Sequence, residues 1–256
     1  MDENPKYGWY VKNLIIGFNI IGLIGLVMFI SGLLMEGILK VILILSGIGV
    51  ILVFLWPGIG MVRMNLMLSK KISKVNIIER MSALKEIESP QILDIGCGTG
   101  RTAIQIAKAL KNRGYLYGID IYEKFAIAGN ALDTVQKNAR IELVDEKTSF
   151  QYGSATDVPF EDEKFDIVNV SSVLHELHNP SDQIKAIKEI HRVLKSGGYL
   201  YLSEWDRTSR ECIGYCGLCC LVFKKKDHWE NLLNKFEFKD IYYERIAGFG
   251  LFKARK

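Results

Sequence analysis

Apolar residues run almost unbroken through the start of the chain and recur only in short periodic bursts afterwards. Leu14 to Met35 and Val41 to Val62 are each 22 residues without a charge. As helices, both are long enough at about 1.5 Å per residue to cross a hydrocarbon core of roughly 30 Å. Only Glu36-Gly37-Ile38-Leu39-Lys40 separates them, which predicts a tight antiparallel hairpin. Tyr7, Trp9 and Tyr10 before the first run and Trp56 near the end of the second suit an aromatic belt at a membrane–water interface. A cleaved signal peptide fits poorly, because the first run is too long and a second follows at once. Two core helices of a soluble protein are the other reading of the same pattern.

From residue 63 the pattern changes. Ile72, Val75, Ile77, Ile78, Met81, Leu84 and Ile87 recur at near-helical spacing and predict a linker helix from Arg63 to about Glu88, before Pro90. Strand candidates follow at Gln91–Ile95, Tyr115–Asp120, Thr148–Tyr152, Phe165–Val170 and Tyr199–Glu204, and two more at Lys239–Ile246 and Phe249–Arg255. Amphipathic stretches at Arg101–Lys111, Phe125–Arg140, Ser181–Leu194 and Asp227–Asn234 lie between them. Strands alternating with helices imply an α/β domain, a mostly parallel sheet with helices on both faces. The chain thus divides into a hairpin over residues 1–62, a linker over 63–90 and a globular domain over 91–256.

Charge sharpens that division. Only Asp2, Glu3, Lys6, Lys12, Glu36 and Lys40 are charged within the first 62 positions, whereas the whole chain carries 33 Lys+Arg and 29 Asp+Glu. The net charge of +4 is too small to argue for nucleic acid. Its placement does orient the hairpin. Arg63, Lys70, Lys71 and Lys74 follow the second run, Lys6 and Lys12 precede the first, and the turn offers only Lys40. The excess of cytoplasmic Lys and Arg in membrane proteins then predicts a multi-pass cell-membrane protein with both termini and the globular domain in the cytoplasm.

The chemistry concentrates in Ile92-Leu93-Asp94-Ile95-Gly96-Cys97-Gly98-Thr99-Gly100, an apolar strand running through alternating glycines into a helix start. Such a loop lets backbone approach a ligand, and the helix N-terminus offers free N–H groups to a carboxylate or phosphate. Asp120 ends the next strand, 20 positions after Gly100. A carboxylate there can accept from both ribose hydroxyls, so the pair reads as adenosine binding. A dinucleotide fingerprint requires G-x-G-x-x-G, and here the position after Gly100 is Arg101, which argues against NAD.

ILDIGCGTG resembles motif I of the class I S-adenosylmethionine-dependent methyltransferases, and the small-molecule (type 11-like) subgroup is similar over roughly residues 90 to 205. VPFEDEKFDIVNVSSVLHELHNP and IKEIHRVLKSGGYLYLSEWD resemble its segments around the fourth and fifth strands. The resemblance implies a Rossmann-like seven-stranded sheet and S-adenosyl-L-methionine as cofactor. It places Gly96, Cys97, Gly98 and Gly100 at the methionine end, Asp94 at the amino group, Asp120 on the ribose and Ile121 on the adenine. Ser154 and Ala155 fall in the loop facing the adenine edge, and Ser171, just past the fourth strand candidate, is a further cofactor-binding candidate. The family usually has an acidic residue where this chain has Ser154, which removes charge assistance from that contact unless Asp157 supplies it.

Methyl transfer is an in-line displacement that needs a base only where the acceptor arrives protonated. His175, just past the fourth strand, is the candidate base, as a neutral imidazole able to accept a proton, with a structural role as the competing reading. His178 beside a helix start reads as a capping-region residue and His191 as structural. Cys212, Cys216, Cys219 and Cys220 cluster where this superfamily builds the cover of its acceptor site. They read either as small apolar residues of a buried or membrane-facing lid or as a thiol site for a soft metal or arsenite, with His228 as a further ligand. Reversible palmitoylation is a third reading. No resident metal is implied.

These features together predict a membrane-anchored methyltransferase acting on a small acceptor, with a lipid, quinone or isoprenoid favoured by the anchor. A soluble acceptor or metalloid, and a cofactor-binding module without turnover, are the alternatives.

Overall fold

The computed structural model describes residues 4–69, 77–110 and 114–256. Helix α1 (Lys12–Leu33) and a second long helix form an antiparallel hairpin. The second helix comprises α2 (Gly37–Val50), one π-helical turn (Ile51–Leu55) and α3 (Trp56–Ser69). The widened turn ends two residues before Pro57, whose ring crowds the carbonyl four residues back, inside that turn, and which has no N–H to continue the ladder. Glycines let the two helices approach closely: a Cβ on Gly47 would sit 2.6 Å from the backbone nitrogen of Phe29, and one on Gly25 2.6 Å from Val50. The remaining faces, including Ile20, Val27, Leu34 and Leu45, are open. Only 17% of the apolar window of the first helix and 6% of that of the second is buried. Two core helices of a soluble protein would be covered; the structure gives two helices long and apolar enough to cross a membrane, with most of their apolar faces open among the described residues.

The second helix runs past residue 62 as far as Ser69. The linker is therefore not one helix from Arg63 to Glu88: α4 (Ile77–Arg80) and α5 (Ala83–Glu86) are short and separated at Met81-Ser82, and Ile72 and Val75 lie outside the described residues. Met81, Ala83 and Leu84 are buried, which anchors this segment to the globular domain.

That domain is a seven-stranded sheet in the order β3-β2-β1-β4-β5-β7-β6. Its strands are β1 (Gln91–Ile95), β2 (Tyr115–Asp120), β3 (Thr148–Tyr152), β4 (Phe165–Ser171), β5 (Leu194–Trp205), β6 (Lys239–Ile246) and β7 (Phe249–Arg255). All pairs are parallel except those made by β7, which is antiparallel to both neighbours. Helices α6 (Arg101–Ala109), α7 (Leu132–Ile141), α8 (Pro180–Val193) and α10 (Lys226–Lys235) cover the faces, and α9 (Arg210–Cys216) leads into a 3-10 segment, Gly217–Val222. The central strands bury both faces: Ile92, Leu93, Ile95, Ile167, Val168 and Val170 are at most 1% exposed, as expected of parallel strands under helices. Strand order reverses between β1 and β4, so the crevice at their carboxyl ends is where an open α/β sheet receives a ligand.

Candidate active site

Gly96, Gly98 and Gly100 follow β1 with φ of 73°, 55° and 89°, a region that disfavours side chains. Space imposes the same choice: a Cβ on Gly96 would lie 2.2 Å from Val173 Cγ2, and one on Gly98 2.7 Å from Ile127 Cδ1. Across the switch point Asp94 registers with Asn169 of β4, whose Nδ2 donates to Asp94 Oδ1 over 2.6 Å. Burial raises Asp94 to about 7, with Asp120 adding to the shift and the Asn169 hydrogen bond opposing it. Asn169 Oδ1, buried beside it, has no hydrogen-bond partner among the described residues. A carboxylate reluctant to ionise next to an orphaned carbonyl is a site built to receive a cation with several N–H donors.

Asp120 organises the neighbouring corner. It accepts from the backbone N–H of Gly98 (2.8 Å) and Tyr122 (2.5 Å) and from Asn130 Nδ2 (3.2 Å). Asn130 Oδ1 is buried and also without a partner among the described residues. Ile121 is 62% exposed on the same rim. Ser154 turns inward on its own loop, pairing with Thr156 Oγ1 at 2.9 Å and bridging to Asp157, while Ala155 is buried. Cys97 is buried under Tyr122, 3.6 Å from its hydroxyl. Ser171 registers with Ser203 of β5 at the end of β4.

Beyond β4 the chain enters a 3-10 turn, Leu174–Glu176, held by Glu204 of β5. One oxygen of this buried carboxylate accepts from the N–H groups of Val173 and Leu174; the other meets His175 Nδ1 at 2.7 Å. His175 Nε2 lies 3.3 Å from Glu176. Burial alone would depress the imidazole, but the charge of Glu204 and the hydrogen bonds to Glu176 and Glu204 outweigh it and lift it to about 10. The sequence suggests a neutral ring at physiological pH; between two carboxylates it holds a proton. His178 lies just before Asn179, whose side chain caps α8 through Ser181 N–H, and His191 packs edge-on against Phe238.

The segment read from the sequence as part of an aromatic membrane belt instead covers this site, with Tyr7 and Tyr10 turned to Arg101. Residues 8–11 run antiparallel to the loop after β2, with Val11 N–H donating to Ala126 O, Ala128 N–H to Trp9 O, and Tyr10 bridged to Ile127. Arg101, first residue of α6, donates to the carbonyls of Leu68 (2.9 Å) and Gly8 (2.9 Å), and its guanidinium faces the rings of Tyr7 and Tyr10. Burial pushes the Tyr10 phenol up while Arg101 pulls it down, and the carboxylates of Asp94 and Asp120 are close enough to add to the rise. Tyr10 also exchanges hydrogen bonds with Asn65 of α3, accepting from Nδ2 and donating to Oδ1. Asn169, the partner of Asp94, is a polar residue inside an apolar strand and carries a signal in the sequence that the partners of Tyr10 and Arg101 do not.

The cysteines face inward. Cys212, Cys216 and Cys220 are buried with Met64, Trp205 and Phe249. The Cys212 thiol is raised by donating to Cys216, which is lowered by that bond and by the His175 charge. His228 bonds Gln183 instead of joining them, and no group of three or more His, Cys, Asp or Glu is placed to hold a metal among the described residues.

The Methyltransferase domain family matches residues 93–202, the stretch that carries this loop, both carboxylate corners and His175. The domain is a class I S-adenosylmethionine-dependent methyltransferase domain. A Demethylmenaquinone methyltransferase of Staphylococcus epidermidis is 32% identical over 142 residues, 56% of this chain and 54% of the relative. The chain thus spans about half the length of that relative; one of Staphylococcus saprophyticus is 28% identical over 196 residues, 69% and 78% of the two chains. The crystal structure of a SAM dependent methyltransferase from Aquifex aeolicus shares the fold, with a TM-score of 0.54 and 20% identity over 71% of this chain and 90% of that one. S-Adenosylmethionine is the cofactor, and the methyltransferase domain presents groups that fit it: Asp94 and the free Asn169 oxygen for its ammonium, the glycine loop for its carboxylate, and Asp120 with Asn130 for its ribose.

Proposed function

We propose that this chain moves a methyl group from S-adenosylmethionine to a hydrophobic, hydroxyl-bearing aromatic acceptor of the quinol type, at the cytoplasmic face of a membrane that its hairpin spans. The observation that carries the reading is the position of His175: it adjoins the glycine loop through Val173 and is roofed by Phe223, at the end of a lid packed on the hairpin. The relatives named as demethylmenaquinone methyltransferases support the acceptor class. Lys6, Lys12 and Arg63 at one end of the hairpin against Lys40 at the other support the orientation.

Bound in this site, the cofactor supplies an electrophilic methyl on a sulfonium; the S–C electron pair stays on sulfur, and the acceptor loses one proton for each methyl gained. Asp94 and Asn169 fix the donor's amino-acid end, and Asp120 its ribose. His175 is the proton-handling group. An acceptor hydroxyl that displaces Glu176 from Nε2 removes one of the two carboxylates holding the imidazole charged, so its pKa falls, the Nε2 proton leaves to solvent with the displaced Glu176 carboxylate, and the neutral ring can then take the hydroxyl proton. Glu204, behind Nδ1, keeps the ring in place and stabilises the imidazolium so formed. The lid excludes water from the transfer.

Incubating the purified full chain with membrane lipid extract and methyl-labelled S-adenosylmethionine tests the reading. Label should enter a lipid-soluble aromatic product. Label appearing only in water-soluble products would exclude the proposed acceptor.

A further inference from the structure

The lid itself points to a second membrane contact. Its inner side is committed to the protein: Cys212, Cys216, Gly217 and Cys220 are buried. Its outer side is apolar and open, with Ile213, Leu218, Leu221 and Val222 between 38% and 73% exposed. Soluble surfaces scatter such residues singly; four exposed within a 13-residue segment form a patch that wants a cover.

What covers it follows from where the lid sits on the hairpin. A Cβ on Gly60 would meet the carbonyl oxygens of Gly214 and Tyr215 at 2.6 Å or less, so α3 and α9 touch backbone to backbone. A Cβ on Gly217 would lie 3.3 Å from the Pro57 ring. Pro57 precedes Arg63 by six residues, about 9 Å along a helix. The lid therefore docks beside the uncharged run of the second helix, from about 4.5 Å (Gly60) to about 9 Å (Pro57) short of Arg63, a depth overlapping the roughly 5–10 Å at which interfacial helices bury an apolar face. Lys224 and Lys225 follow at once, and Lys225 is exposed, a sign complementary to anionic lipid phosphates.

We propose that Arg210–Val222 lies in the headgroup layer of an anionic bilayer, with Ile213, Leu218, Leu221 and Val222 against the acyl chains and Lys224 and Lys225 at the phosphates. The inference rests on the reading that the hairpin spans the membrane. It deepens that reading by placing the roof of His175, through Phe223, at the lipid boundary, so that an acceptor dissolved in the bilayer reaches the site by displacing the lid.

The test uses the full chain in vesicles of phosphatidylethanolamine and phosphatidylglycerol, with photoreactive benzoylphenylalanine placed singly at Leu221, Leu218, Leu23 or Glu161. Leu23 lies in the first apolar helix, and Glu161 lies just before the amino end of the central strand β4, away from the carboxyl-end crevice. Calorimetric binding of S-adenosylhomocysteine confirms that each variant is folded, and a Leu221 variant that fails this check is replaced by the Leu218 one. Lipid adducts at Leu221 and Leu218 at least fivefold above those at Glu161, and comparable to Leu23, are the expected result. Lipid adducts at Leu23 but background levels at both lid positions would overturn the lid contact and leave the spanning hairpin standing. Adducts from the lid to a second copy of the chain would assign the patch to self-association and overturn it equally. Background levels at Leu23 as well would remove the spanning hairpin and this inference together.

Discussion

Cofactor affinity should depend on pH through Asp94. The empty site holds this carboxyl at about 7, because burial opposes its charge more strongly than Asn169 supports it. The ligand's ammonium favours the charged form, so binding must expel a proton wherever the empty site still holds one. At pH 8 about nine-tenths of Asp94 is ionised, and at pH 6 about one-tenth, which makes affinity roughly tenfold weaker at pH 6, or about 1.4 kcal/mol. Calorimetry with S-adenosylhomocysteine at pH 6, 7 and 8, in buffers of different ionisation enthalpy, reads both consequences: the slope of affinity and about one proton released per ligand at pH 6. Asp94→Asn should bind more weakly at pH 8 and lose the slope. The same shift has the opposite effect on the empty protein. Its folded-state pKa is raised, so stability declines as pH rises from about 4 to about 7 and then levels. Asp94→Asn should therefore melt at a higher temperature than the parent at pH 8 without ligand. A flat affinity between pH 6 and 8, with no proton release, would refute the argument from burial.

Other outcomes follow from the same geometry. Asp120→Asn leaves the Gly98 and Tyr122 N–H groups with a weaker acceptor and should raise the dissociation constant for S-adenosylhomocysteine about tenfold or more, measured by calorimetry. His175→Gln should lower kcat by about 10²–10⁴ with cofactor affinity unchanged; an equal loss of affinity would make the residue structural instead. Glu204→Gln removes the buried charge facing His175 and the strong acceptor of two N–H groups, and should both lower the melting temperature and move the pH–rate profile to lower pH. Arg101→Ala leaves the Leu68 and Gly8 carbonyls without their donor and should speed hydrogen exchange across residues 8–11, read by mass spectrometry, with far less change in the sheet.

Local patterning carried the architecture, and only local patterning. Five strands have the bounds their apolar bursts predict, among them the parallel β1, β2 and β3, because a buried strand announces itself over five or six residues. The helix expected from Phe125 begins only at Leu132. Residues 126–128 have apolar spacing that fits a helix, but their backbone is taken by Trp9 and Val11 from across the chain. Glycines and Asp120 were readable as a nucleoside site since their spacing is itself the signal. Glu204, Asn130 and Tyr10 were not: each acts through a partner at least ten residues distant, and Tyr10 through one 55 away. His175 shows the same limit in energy. Its position follows from the motif, but its charge depends on a carboxylate delivered by another strand.

The paired hydrogen bonds between Tyr10 and Asn65 carry a practical warning. Tyr10 sits just before one apolar helix and Asn65 lies near the end of the other, so both legs of the hairpin are fastened to the segment that lies over the glycine loop. Cutting away the first 62 residues to obtain a tractable soluble enzyme would strip Tyr7 and Tyr10 from Arg101 and uncover the glycine loop. The two apolar helices are thus joined to the segment over the glycine loop, and a shortened form that fails to hold the proposed donor would report missing masonry, not a missing activity.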